Sequence, residues 1–235
     1  TRYWRDWSSD VCSSDLAITM ERLRVGEPLD LKVIVKPTDA SLSHYYFPYR
    51  IDAVRGEIVF DISERKILLR DLNGLHGVSP VTLKAGFVDL VTKELEIPIE
   101  SPKLVPDEDL LSALPDDVES RLRSLDILNG GGALETVVEL FRKDSPKLGV
   151  YVRSRVVEPL QLKYDRLPYP LIFHGGQVIY SSSEERVRLD DLYTDLNASP
   201  VIRVSGEIGP DDSADPLAKD STLLAIRLNV EEGSG

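Results

Sequence analysis

Three histidines, His44, His76 and His174, are the first residues able to do acid–base or metal chemistry at neutral pH. No two of them stand at the spacing of a metal-binding pair. His44 lies in a segment that reads as a strand, and His76 and His174 lie at turn-like stretches, so surface or half-buried side chains are expected. The run Gly130-Gly131-Gly132 could cradle a phosphate, but no Lys-Ser/Thr follows and Ala133-Leu134-Glu135 passes into alternation; a turn entering a strand is the simpler reading. Asp and Glu number 40, enough for a glycosidase-like carboxylate pair to arise by chance, and no motif singles one out. Ser181-Ser182-Ser183 lacks the glycine frame of a nucleophile elbow and reads as a hairpin turn. Asn197-Ala198-Ser199 matches a glycosylation acceptor, with Pro200 directly after it. No catalytic residue, cofactor or metal is therefore expected.

The N-terminal stretch Asp6-Trp7-Ser8-Ser9-Asp10-Val11-Cys12-Ser13-Ser14-Asp15-Leu16 resembles the in-frame translation of a short-read sequencing adapter, and residues 1–16 are set aside from fold reasoning. They contain the single cysteine, Cys12, and both tryptophans, Trp4 and Trp7. Without them no disulfide, thiolate nucleophile or cysteine-based zinc site is available. The remainder is expected to be a fragment whose true start is missing. Setting aside Arg2, Arg5, Asp6, Asp10 and Asp15, which together carry −1, moves the formal charge only from −12 to −11. An acidic chain with scattered Lys and Arg repels a phosphate backbone, so no nucleic-acid partner is expected. No apolar run approaches the roughly 18 residues of a membrane helix.

The elements around these residues are far more informative. Residues 42–88 realign without a gap onto 162–208 at a constant offset of 120, with identities that include Leu42, Pro48, Tyr49, Gly56, Leu69, Asp71, Leu72, Pro80 and Gly86. A unit of about 120 residues is thus used at least twice. Within it, strict alternation dominates. Leu31, Val33 and Val35 oppose Lys32 and Lys36; Leu95, Ile97 and Ile99 oppose Glu94, Glu96 and Glu100; Ile226, Leu228 and Val230 oppose Arg227, Asn229 and Glu231. Period two with one polar face predicts antiparallel strands wetted on one side. Strands are expected near 29–36, 39–46, 55–61, 66–74, 80–89, 93–101, 133–142, 148–164, 176–181, 186–194, 200–208 and 222–231, with turns at Asp71-Leu72-Asn73-Gly74 and His174-Gly175-Gly176. Asp107 can cap a helix opened by Glu108 and Asp109, and Pro115 can restart a second helix carrying Val118, Leu122 and Leu125. The Tyr45-Tyr46-Phe47-Pro48-Tyr49 motif and its copy at Pro168-Tyr169-Pro170 read as a packed corner, or else as an aromatic lip on a groove.

The expected organisation is a β module at 17–105, a helical insert at 106–128, a second β module at 129–209, and at 210–235 a loop with the first strand of a further, truncated unit. The fold class is mostly β: an elongated, curled antiparallel sheet, groove or open sandwich, with a short helical insert near 107–125. The motifs Leu162–Leu171, Gly175–Tyr180, Val187–Leu192 and Val201–Ile208, echoed at Phe47–Ile51, Gly56–Phe60 and Leu69–Leu72, resemble the repeats of AsmA/TamB-type bacterial envelope proteins. The resemblance implies a periplasmic, non-enzymatic module, anchored to the inner membrane by a missing N-terminal helix. It would form part of a hydrophobic β-groove for phospholipid transport or outer-membrane assembly, with acyl chains as partners. The lining would be the inward apolar set: Leu31, Val33, Ile58, Phe60, Leu69, Leu83, Ile97, Val178, Tyr180, Leu189, Val204, Ile226 and Leu228. The rival reading is a closed β-sandwich serving as a spacer or adhesion repeat, with no lipid conduit.

Overall fold

The computed structural model describes residues 17–22, 31–44, 47–113, 119, 123, 126–143, 147–163, 169–197, 199–210 and 222–231. The adapter-like residues 1–16 lie outside them, as do Val118, Leu122 and Leu125 of the second expected helix and Tyr45, Tyr46 and Pro168 of the aromatic motif. Alternating sequence becomes strand throughout. The elements are β1 (Ala17–Arg22), β2 (Leu31–Lys36), β3 (Ala40–His44), β4 (Phe47–Asp61), β5 (Lys66–His76), β6 (Ser79–Asp89), β7 (Leu95–Leu104), α1 (Glu108–Ala113), β8 (Ala133–Arg142), β9 (Gly149–Glu158), β10 (Leu160–Leu162), β11 (Leu171–Phe173), β12 (Gly175–Ser181), β13 (Arg186–Tyr193), β14 (Val201–Pro210) and β15 (Thr222–Glu231). The main path is one antiparallel sheet in the order β1-β2-β4-β5-β6-β7-β8-β9-β12-β13-β14-β15. It is not closed: among the described residues β1 pairs only β2, and β15 only β14. The fold is mostly β, an elongated and curled open sheet, as expected.

The sequence repeat is a structural repeat, and it reaches beyond the aligned residues. In the first unit β5 pairs β6 with Leu69 opposite Gly86; in the second β13 pairs β14 with Leu189 opposite Gly206. Val33 of β2 faces Phe60, and Val152 of β9 faces Tyr180, the residue 120 positions after Phe60. Met20 of β1 then faces Val33 as Val138 of β8 faces Val152. At the far side Gly86 lies against Ile97 of β7, and Gly206 is paired with Ile226 of β15. So β15 takes the place beside β14 that β7 takes beside β6.

Two small hairpins leave the main sheet at equivalent places. β3 pairs the start of β4 with Leu42 opposite Ile51, and β10 pairs β11 with Leu162 opposite Leu171. The long strand expected over 148–164 is split at Pro159, which cannot donate to a ladder. Beyond that break β10 turns off the sheet to form this flap. β1 and β11 were not expected as strands, the latter because three residues carry too little pattern.

The expected turns at Asp71–Gly74 and His174–Gly176 are corrected. Asp71–Gly74 lies inside β5, and Gly175 opens β12. The register slips at these points in both units. Gly56 with Asp71 in one copy, and Gly176 with Asp191 in the other, hold positive φ of 138°, 48°, 97° and 47°. The residue types that make turns also make β-bulges, because both need φ values that Gly and Asp tolerate. Other turn readings agree with the structure: Gly131 and Gly132 have positive φ just before β8, and Ser182 and Ser183 lie in the β12–β13 turn.

Candidate functional site

The cross-strand register sorts side chains into two unlike faces. One carries ion pairs: Glu57 with Arg70 at 3.1 Å, Lys84 with Glu100 at 3.2 Å, Arg203 with Asp191 at 2.7 Å, and Arg155 with Glu135. These are exposed pairs on a solvated surface and contribute little to stability. A shallow recess among Phe87, Pro98, Glu139 and Phe141 lies on this side.

The other face is largely apolar, interrupted by Arg142 and by the row Ser101, Thr136 and Ser154. One row runs Val35, Ile58, Leu69, Gly86, Ile97, Leu140 and Val150. A second, one pair further along the strands, runs Ile99, Val138, Val152, Tyr180, Val187 and Ile208. At about 4.8 Å per strand the second row alone spans about 24 Å. The apolar side chains of both rows are half-buried. Every residue named from sequence falls on this face. Leu31, Val33 and Phe60 lie beside the first row, and Ile58, Leu69 and Ile97 within it. Leu83 packs with Leu72, Leu69 and Ile97. Val178 faces Leu189, Val204 faces Leu228, and Gly206 faces Ile226. Tyr180 stands in the second row.

Among the described residues two flaps and α1 cover part of this face, and Ile58, Leu69, Ile97 and Ile99 of the rows pack against the first cluster. The first flap packs Leu42 and Ile51 around Val54, Leu72 and Leu83. The second packs Leu160, Leu162, Leu171 and Phe173 around Val156, Leu192 and Val204. α1 lies between them: Leu111, with no exposed surface, enters the second cluster, while Leu110 and Ala113 join Tyr49 and Leu104 in a third. The helix is short but well set. As expected, the Asp107 carboxylate accepts the Leu110 N–H at 2.8 Å. Glu119 and Arg123 are helical and paired at 2.8 Å, and Arg123 also reaches Glu108 at 2.7 Å. That pair holds the Glu108 carboxyl below its ordinary range, chiefly through the guanidinium hydrogen bond.

One polar cluster was missed from sequence. His76 was read as a surface or half-buried residue at a turn; it ends β5 and is only 7% exposed. Its Nδ1 contacts the Arg50 carbonyl, its Nε2 lies 2.9 Å from the Asp107 carboxylate and 3.6 Å from that of Asp109, and its ring stacks on Tyr49 at 3.9 Å. Both ring nitrogens face oxygen atoms. Burial, then Asp107 and Asp109, push the Tyr49 phenol well above its usual range, so it stays neutral. With both nitrogens engaged, the imidazole has no position left for a substrate proton. Its role is to tie α1 to β4 and β5. Tyr49 of the aromatic motif is buried, while Tyr169 at the matching position of the other copy is 75% exposed. The imidazole has no signal in the repeat, since Leu196 stands at the matching position. The exposed His174, between β11 and β12, has no such setting.

Among the described residues, no group of His, Cys, Asp or Glu could hold a metal ion, and no helix is long and apolar enough to cross a membrane. Comparison of the chain with protein-family models, with curated proteins and with solved structures gave no match, so the reading of the apolar face rests on its own geometry.

Proposed function

We propose that the chain is a non-enzymatic module whose apolar face holds phospholipid acyl chains, as one section of a longer hydrophobic groove of the AsmA/TamB kind in a bacterial envelope. The observation that carries this is the unbroken row from Ile99 to Ile208, opposite a face that carries ion pairs. A row of about 24 Å exceeds the roughly 15 Å that one leaflet's chains occupy, half of a ~30 Å hydrocarbon core. Each methylene leaving water for such a surface gains about 0.8 kcal/mol, so a chain lying along the row gains several kcal/mol without any specific contact. Headgroups would stay at the rim, in water. The flaps and α1 then act as a floor against which part of the half-buried rows packs.

The test is native mass spectrometry of residues 17–235 expressed in bacteria. Adducts of phospholipid mass that survive gentle purification are expected. A lipid-free protein, with both sheet faces protected in amide exchange, would instead identify a closed structural spacer.

A further inference from the structure

One charge stands where the fold places apolar side chains. Along β7 and β8 the paired residues of the apolar face are Ile99 with Val138, Ile97 with Leu140 and Leu95 with Arg142. Arg142 ends β8, about 27 Å along the strand from Leu134, which packs in one cluster with Ala113 of α1. It therefore lies at the rim of the sheet, at the end away from the helix. Its side chain is half-buried, and its Nε is buried without a hydrogen-bond partner. A recess on the charged face brings Glu94, Glu96 and Glu139 to the same strand ends, yet none of them supplies a partner to that nitrogen. Arginines of the charged face are placed otherwise: Arg70 meets Glu57, Arg155 meets Glu135 and Arg203 meets Asp191. A guanidinium nitrogen taken out of water and left unpaired costs free energy, which an arriving anion offsets.

We infer that Arg142 receives the phosphate of a phospholipid whose acyl chains lie on the apolar rows. The inference rests on the reading of that face proposed above, and it names the headgroup chemistry: a phosphate ester, in preference to an uncharged headgroup. Guanidinium donors match phosphate oxygens in pairs, and such charge-assisted bonds strengthen where water is excluded. The geometry suits a single molecule. From Arg142 the apolar face continues through Leu140 to Val138, about 13 Å along β8, and Val138 belongs to the row that runs on to Ile208. A phosphate at the rim thus leaves its chains on aliphatic side chains. Lys143, exposed and next in the chain, adds positive charge at the same strand end. The β12–β13 turn of the second unit carries Glu184 and Glu185 instead, so the phosphate is held where the two units meet.

Isothermal titration of the whole chain with dioctanoyl phosphatidylglycerol and with dioctanoylglycerol, each below its micelle-forming concentration, separates headgroup from chains. The phospholipid should bind more tightly by about tenfold or more, the scale of a charge-assisted bond pair. Arg142→Met keeps an apolar stem and removes the charge. It should abolish that preference while leaving dioctanoylglycerol binding unchanged, and Arg142→Lys should restore part of it. The urea midpoint of lipid-free Arg142→Met should equal or exceed the parent's, because the buried Nε loses no partner. Equal affinity of parent and Arg142→Met for the phospholipid, with both lipids bound, would overturn the inference and leave the acyl-chain reading standing. Absence of binding by both lipids would overturn the two together. Inorganic phosphate bound as tightly as the phospholipid would mark an anion site without a lipid, and a lowered urea midpoint a side chain that serves the fold; either result contradicts the inference.

Discussion

Replacing Gly56 by alanine tests the bulge that both units share. Gly56 has φ of 138°, a value L residues rarely adopt, and an added Cβ would stand 2.6 Å from the Asp71 carbonyl oxygen and 2.8 Å from Leu72 Cα. Both are backbone atoms of the neighbouring strand, so relief requires opening the β4–β5 ladder. Strain at such a backbone position costs about 1–3 kcal/mol, and each ladder hydrogen bond lost adds about 1 kcal/mol. The expected loss is about 3–5 kcal/mol, or about 6–20 °C in Tm for a chain of this size. Gly77 is the internal control. Its φ is 53° and an added Cβ would meet nothing within 4 Å, so Gly77→Ala should cost only about 1 kcal/mol. Gly176→Ala should match Gly56→Ala, because its Cβ would meet Asp191 and Leu192 in the same way. Urea and thermal unfolding of the three variants measure this directly. Equal losses for Gly56 and Gly77, or an unaffected Gly176 variant, would refute the claim that the bulge is a strained, repeated device that bends the sheet.

The other predictions concern α1, acid stability and one buried hydroxyl. His76→Phe should keep the stacking on Tyr49 but lose the contacts to the Arg50 carbonyl and Asp107, costing about 1–3 kcal/mol in urea unfolding. It should also raise amide exchange in α1 ahead of the rest of the molecule. The Asp89 carboxyl is held below its usual value of 3.8 by N–H donors of Thr92 and Val91 and by the charge of Lys66. A depressed folded pKa contributes stability above the unfolded value that is lost as pH falls through the folded one. Asp89→Asn should therefore be less stable than the parent near pH 7, and the two should converge as pH falls below the ordinary carboxylate range. Ser101 Oγ is buried on the apolar face without a hydrogen-bond partner, and Val230 stands at its counterpart. Ser101→Ala should accordingly stabilise the protein by about 1 kcal/mol in the same unfolding assay.

What the sequence showed well was whatever repeats at short period. Alternation along Leu95–Ile99 and Ile226–Val230 fixes which face is apolar, because successive side chains must point oppositely, and the offset of 120 finds the unit. Two kinds of feature escaped. The bulges at Gly56–Asp71 and Gly176–Asp191 look like turns, since the chemistry of a positive φ is the same in both settings. Only the neighbouring strand decides between them. The His76 cluster escaped because its members, Tyr49 and Arg50 of β4, His76 of β5, and Asp107 and Asp109 at the start of α1, come from three separate elements, and no local pattern marks them. The role of β15 needed pairing as well: its sequence shows a strand, but only its place beside β14 makes it the counterpart of β7.

The central claim is that acyl chains lie on one face of the sheet. Val152 and Arg153 are adjacent in β9 and project to opposite faces, Val152 into the apolar row between Val138 and Tyr180, and Arg153 beside Val137 and Ile179. A photo-activatable benzophenone side chain placed at each position in turn, irradiated in bacteria and read by mass spectrometry, tests that claim most directly. Cross-links of phospholipid mass are expected at 152 and not at 153. No lipid at 152, or equal labelling at both positions, would contradict the account.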